Sequence, residues 1–171
     1  MRILLLIVLG MLAGCSESPS DSYLNTPGFN IRIPHDVASG GHFFAAGDLS
    51  VAVKSPSGGV LMAMSVSRLL ENLDSDFILA DYPRYALGLK QTDNLKDADR
   101  LRFDQSRSVY EATYDLSHVR QQSSPGKESY SVCNETECLA FIVKDDVAEH
   151  ILMLSSTNIR QESFSRIAGD I

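Results

Sequence analysis

The chain is poor in the residues and patterns from which active sites are assembled. Its 171 residues include three cysteines and four histidines, His35, His42, His118 and His150. No Gly-x-Ser-x-Gly elbow is present for a serine hydrolase. A His-Glu-x-x-His zinc helix is absent, as is a glycine-rich loop to cradle phosphate. The acidic clusters Asp74-Ser75-Asp76 and Asp93, Asp97, Asp99 lack the Asp-x-Asp-x-Asp-Gly order of a calcium loop. His35-Asp36 is half of an acid–base pair at most, and a lone histidine is more often a hydrogen-bonded structural group. The expectation is a chain without catalytic residue, metal or cofactor, and not an enzyme. Basic charge is also in deficit. The net charge of −7 repels nucleic acid and anionic headgroups and favours basic partners or cations.

What is present begins at the amino end. Met1-Arg2 precedes the apolar run of residues 3–9, and the apolar stretch ends at residue 14. A basic start with a brief apolar run is the layout of a secretory signal, and it falls well short of the ~20 residues a spanning helix needs. Leu12-Ala13-Gly14-Cys15 resembles the lipobox of bacterial lipoproteins. That resemblance implies cleavage after Gly14 and diacylglycerol on Cys15. Each buried CH₂ contributes roughly 0.8 kcal/mol, so two or three acyl chains of the palmitate kind hold a protein at a membrane. An aspartate directly after the cysteine tends to retain such lipoproteins at the inner membrane. The residue here is Ser16, which implies an outer-membrane anchor with the domain facing the periplasm.

Cys133 and Cys138 remain after Cys15 is lipidated. In an oxidising compartment an isolated pair is read first as a disulfide. The four intervening residues suit a hairpin loop between strand-like residues 128–132 and 139–144. The spacing is not Cys-x-x-Cys, which weakens a redox reading. With no second pair and no histidine between them, a metal reading is weak too.

Residues 1–14 are thus read as signal, 15–27 as lipidated cysteine and polar tether, and 28–171 as one domain. The tether, some twelve residues to Pro27, reaches at most ~40 Å. Phe29, Ile31 and Ile33 alternate as a strand ended by Pro34, and residues 40–44 and 49–53 read as further strands. Residues 55–59 form a turn, and residues 60–66 have no single period. Leu69, Leu70, Leu73 and Phe77 fall at helical spacing, and Tyr82-Pro83 should stop that helix. Tyr85, Leu87 and Leu89 alternate, as do Leu101 and Phe103, and Tyr110, Ala112, Tyr114 and Leu116. Residues 121–126 read as a flexible loop and residues 149–155 as a strand. Asn158 and Gln161 stand in capping-box positions before the apolar stripe Phe164, Ile167, Ala168, Ile171. Several strands, one helix, more strands and a terminal helix make an α+β fold. Its sheet is largely antiparallel, with a central and a C-terminal helix packed on it.

That order resembles the Mog1/PsbP-like fold, which includes small bacterial lipoproteins of the DcrB type. The features carrying it are the early strand closing on Pro34, the helix around residues 69–77, and Ile151-Leu152-Met153-Leu154 followed by the terminal helix. Small, acidic, periplasm-facing lipoproteins with one disulfide also resemble immunity proteins that neutralise secreted antibacterial toxins. The expectation is a protein-binding module, most favourably an immunity protein, with envelope maintenance or assembly of the DcrB type as the alternative. Negative charge would steer it onto a basic toxin. Interface residues are not specified by the sequence. Residues 34–44, 55–59 and 121–127 are candidates because recognition concentrates in loops on a rigid scaffold. Tyr82, Tyr85, Tyr110, Tyr114 and Tyr130 could supply an aromatic patch, although strand alternation sends about half of such residues to the core.

Overall fold

The computed structural model describes residues 21–45 and 47–171. The expected signal segment, residues 1–14, and the lipidation position Cys15 lie outside the described residues. The fold is α+β, as the sequence order implied. Among the described residues a two-stranded sheet and a seven-stranded antiparallel sheet combine with four helices.

The first strand, β1 (Ser22–Thr26), lies inside the stretch assigned to the tether. It pairs antiparallel with β2 (Phe29–Ile33), with Ser22 opposite Ile33 and Thr26 opposite Phe29. Its polar composition concealed it. Leu24 is its one large buried side chain, and that anchor is enough because β2 contributes Phe29, Ile31 and Ile33. Pro34 ends β2 and starts the short helix α1 (His35–Ala38).

The large sheet comprises β3 (His42–Ala45), β4 (Ser50–Lys54), β5 (Val60–Val66), β6 (Arg120–Ser124), β7 (Lys127–Cys133), β8 (Glu137–Lys144) and β9 (Ile151–Thr157). Their spatial order is β3-β4-β5-β9-β8-β7-β6, so β9 is inserted between the two halves of the sheet. Period-two alternation gives this sheet two apolar faces. One carries Val53, Leu61, Ala63, Cys138, Ala140, Ile142, Leu152 and Leu154. The β1–β2 hairpin, α1 and α4 (Gln161–Gly169) cover it. The other carries Val66, Tyr130, Val132, Leu139, Phe141, Val143 and Ile151, covered by α2 (Tyr82–Ala86) and α3 (Asp97–Thr113). Residues 60–66, open on sequence alone, are β5, because successive side chains feed opposite cores.

The central helix is α3, not the segment around residues 69–77. That segment makes a single turn. Asn72 adopts φ 49°, Leu73 N–H donates to the Arg68 carbonyl at 2.9 Å, and Asn72 N–H to Leu69 at 3.2 Å. This closure, with a left-handed residue at its end, is the one that stops helices. Leu69 is consequently 92% exposed. The alternation of Tyr110, Ala112 and Tyr114 suggested a strand, but α3 meets the sheet with Phe103 and Tyr110 at helical spacing, and Tyr114, just past its end, packs on the same core. Pro83 opens α2 instead of closing a helix, since the first turn has no use for its missing N–H. Tyr85 and Leu87 are therefore helical or just past the helix, and not on a strand. Residues 120–124 are strand β6 rather than loop, and the turn to β7 is completed by Gly126 at φ 76°. At the last helix Asn158 takes φ 56° and makes no cap; Gln161 donates instead to the Asn134 carbonyl at 2.7 Å. The stripe Phe164, Ile167, Ala168 is buried as expected.

Candidate partner-binding groove

Helix α4 lies against β8 and β2, not against the outermost strands. The side chains that β7 turns toward α4 are Ser129, Ser131 and Cys133, whereas Tyr130 and Val132 go to the opposite core. Small polar residues cannot fill the space between a helix and a sheet. The result is a groove of about 400 Å³, floored by β7 and walled by Phe164 and Ala168 of α4. Gln122 and Arg120 of β6 form its outer rim. This volume falls within the ~300–1,000 Å³ common for ligand sites. A shallower depression continues it along Ser124, Lys127 and Gly169. Strand β6 ends the sheet, with every residue exposed and no strand beyond it among the described residues.

The cysteine pair sits at one end of this groove. Cys133 and Cys138 are register partners with sulfurs 2.02 Å apart and Cα atoms 4.1 Å apart. Asn134 N–H donates to the Glu137 carbonyl at 2.9 Å, so the cysteines occupy the adjacent non-hydrogen-bonded pair, where side chains approach most closely. Asn134 Oδ1 also accepts from the N–H groups of Thr136 and Glu137 at 2.9 and 2.7 Å, fixing the loop. Cys133 lines the groove, whereas Cys138 is buried in the core.

The histidines are dispersed. His35 and His42 are exposed at α1 and β3, and His118 pairs with Asp115 at 2.9 Å. His150 Nδ1 lies 3.0 Å from Ser65 Oγ, a contact across 85 residues that nothing in the sequence signalled. Ser65 is 0% exposed and its hydroxyl also reaches the Pro27 carbonyl at 3.3 Å. A substrate carbonyl has no approach to that oxygen. The pair ties the end of β5 to the β1–β2 turn.

Asp36 turns away from any pairing with His35. It accepts from Arg166 at 2.8 Å, Arg160 at 3.1 Å and Ser163 at 3.2 Å, clamping α1 to α4. Partial burial pushes its pKa up, but the Ser163 hydrogen bond and the two guanidinium groups outweigh this, and the net shift is downward. A depressed carboxylate stabilises the fold above its unfolded pKa of about 3.9, and that contribution is lost as pH falls through the lower folded value. Asp36→Asn should therefore lower the melting temperature at pH 7, with the gap to wild type closing as the pH falls below the ordinary aspartate value. A gap of unchanged size at acid pH would mean that the charge is not what matters.

The acidic clusters converge. Asp74 meets Lys96 at 2.6 Å, Asp76 lies 3.8 Å from the same ammonium, and buried Asp99 accepts from the Asp74 N–H at 3.1 Å. They anchor the start of α3. Among the described residues no group of three or more His, Cys, Asp or Glu side chains is arranged to hold a metal, and no helix is long and apolar enough to cross a membrane.

Tyr82, Tyr85 and Tyr130 are core residues, and Tyr110 and Tyr114 are half-buried against the same core. Burial raises the Tyr110, Tyr114 and Tyr130 hydroxyls to about 12. The expected tyrosine patch is thus largely absorbed by packing. Tyr82 stands edge-on to Phe141 at 5.7 Å, and Tyr130 accepts from Arg84 at 2.7 Å while donating to Glu128 at 2.6 Å.

Of the three candidate contact regions, residues 34–44 and 55–59 come together at the β3–β4 side. A side chain added at Gly40 would meet Pro56 at 3.2 Å. Residues 121–127 lie at the opposite edge of the sheet. Seven strands spaced ~4.8 Å apart separate the two edges by roughly 29 Å. No protein-family model matches the chain, and neither does any curated protein or solved structure.

Proposed function

We propose that the chain is a periplasm-facing lipoprotein, anchored in the outer membrane by lipid on Cys15, that acts without catalysis by binding a partner protein. The partner is a secreted antibacterial toxin, and the chain is its immunity protein. The observation that carries the binding reading is the open groove between α4 and β6–β7, on a disulfide-pinned sheet edge, in a chain whose Ser65 hydroxyl, beside His150, is fully buried. The signal-like start and net charge of −7 support a tethered inhibitor that a basic toxin approaches quickly. The DcrB-type envelope-maintenance reading is the alternative; of the features that suggested it, the strand ending at Pro34 and the β9–α4 ending are present and the helix around residues 69–77 is not.

Deleting the gene should sensitise cells to a secreted effector of their own kind in co-culture. The soluble form for capture must start at Ser16, since β1 belongs to the fold. It should retain a toxin with nanomolar or tighter affinity and an on-rate that falls with salt. Unchanged co-culture fitness together with an envelope defect in the deletion strain would replace immunity with maintenance.

A further inference from the structure

The groove is chemically unlike the rest of the chain. Acidic residues outnumber basic ones, 22 to 15, over the whole sequence. Yet no Asp or Glu lines the groove or its shallow continuation, whereas Arg120, Lys127 and His118 do. A second depression of about 420 Å³ beside residues 76–80 shows the contrast, being lined by Asp76, Asp145 and Glu149 together with Arg68 and Lys144. Lys127 donates to the Gly169 carbonyl at 2.7 Å and His118 is held by Asp115, but Arg120 has no carboxylate partner among the described residues. An unpaired guanidinium over a hydroxyl floor is a receptor for a carboxylate, which it can take in bidentate fashion.

The geometry points to an acidic, extended polypeptide segment laid along the free edge of β6, with a carboxylate on Arg120 and alternate side chains reaching over that rim into the groove. This deepens the partner-binding reading and rests on it. Three features select a peptide. The outer edge of β6 offers backbone donors and acceptors that only another backbone matches in register. Arg120, Gln122 and Ser124 share the groove side of β6, opposite Ser131, Ser129 and Lys127. Alternate side chains of an added strand would therefore fall on that side, toward the basic rim. Finally, Phe164 and Ala168 provide an apolar wall against which an aliphatic stem can rest. The net negative charge does not oppose this. It governs the approach of a whole partner, whereas the groove selects one local stretch of it by contact.

The test is selection from a random dodecapeptide library on the detergent-solubilised, disulfide-intact chain. Recovered peptides should be enriched in Asp and Glu. Arg120→Glu should weaken them on the order of tenfold or more, Arg120→Lys less, and Ser131→Trp should block them by filling the floor. Lys54→Glu, an exposed change on β4, should leave them unaffected. Arg120 is exposed, so its charge reversal should leave the melting temperature unchanged, and it decides the matter if Ser131→Trp fails to fold. Peptides rich in Lys or Arg, acidic peptides indifferent to Arg120, or no enrichment would overturn the assignment. So would soluble carboxylated glycan fragments binding with the Arg120 dependence when no peptide does. A failed selection alongside protection in co-culture would keep the partner-binding reading and remove the groove from it.

Discussion

Phe103→Ala should remove about 3–5 kcal/mol of folding stability, the range for emptying a buried phenylalanine site. Phe103 is 0% exposed on α3 and is surrounded by rings. Phe77 stacks at 5.2 Å, Tyr82 stands edge-on at 5.2 Å and Tyr85 is tilted at 5.3 Å. Two segments, α2 and the loop before it, supply those neighbours to α3, so the site cannot collapse without separating all three. Single domains have only about 5–15 kcal/mol in total, which makes this loss a large fraction of the whole. Urea unfolding of the variant measures it directly. Leu101→Ala, two residues away and 60% exposed, should shift stability by no more than about 0.5 kcal/mol. A cost below about 1.5 kcal/mol for Phe103→Ala would show that the aromatic cluster is loosely packed.

Cys15→Ala should abolish membrane association altogether. The proposed attachment is the cysteine of Leu12-Ala13-Gly14-Cys15, and no described helix is long and apolar enough to cross a membrane. Wild-type protein should sediment with membranes and take up radioactive palmitate. The variant should do neither, yet melt at the same temperature in isolation, because the fold starts at β1. A wild-type chain that stays unlabelled and soluble would sink the lipoprotein reading, and with it the tethered-inhibitor proposal.

The legible parts of this fold were those whose signals are local. The β7–β8 hairpin announced itself through two strand-like runs flanking Cys133 and Cys138, and α4 through the stripe Phe164, Ile167, Ala168. Where two periods fit the same residues, the sequence misled. Tyr110, Ala112 and Tyr114 satisfy alternation, but Ala112 is exposed on the outer side of α3 and only the tyrosines face the core. Leu69 and Leu70 have helical spacing, but no neighbouring surface receives them, and Asn72 ends the turn. The groove was half visible. Ser129 and Ser131 alternating with Tyr130 and Val132 mark a strand with one polar face. That a helix would stop one strand short of covering it depends on α4 docking against β8, a contact between distant parts of the chain. The Ser65–His150 contact is non-local for the same reason.

The early start of β1 sets how the domain can patrol its surroundings. If the chain is cut before Cys15 and carries lipid there, as proposed, six residues, 16–21, separate that cysteine from the first strand, a contour of roughly 20 Å at most. The ~40 Å reach expected from a tether ending at Pro27 would be about halved, and such an anchor would confine the body of the protein to the layer next to the bilayer. Its pivot would be fixed as well. β1 contacts β4 and β5, whereas the groove opens over β7 and β6. Three to five strand spacings, roughly 15–24 Å, separate them across the sheet. A domain anchored in the proposed way would be held by the β1 side of the sheet, with the groove on the opposite side.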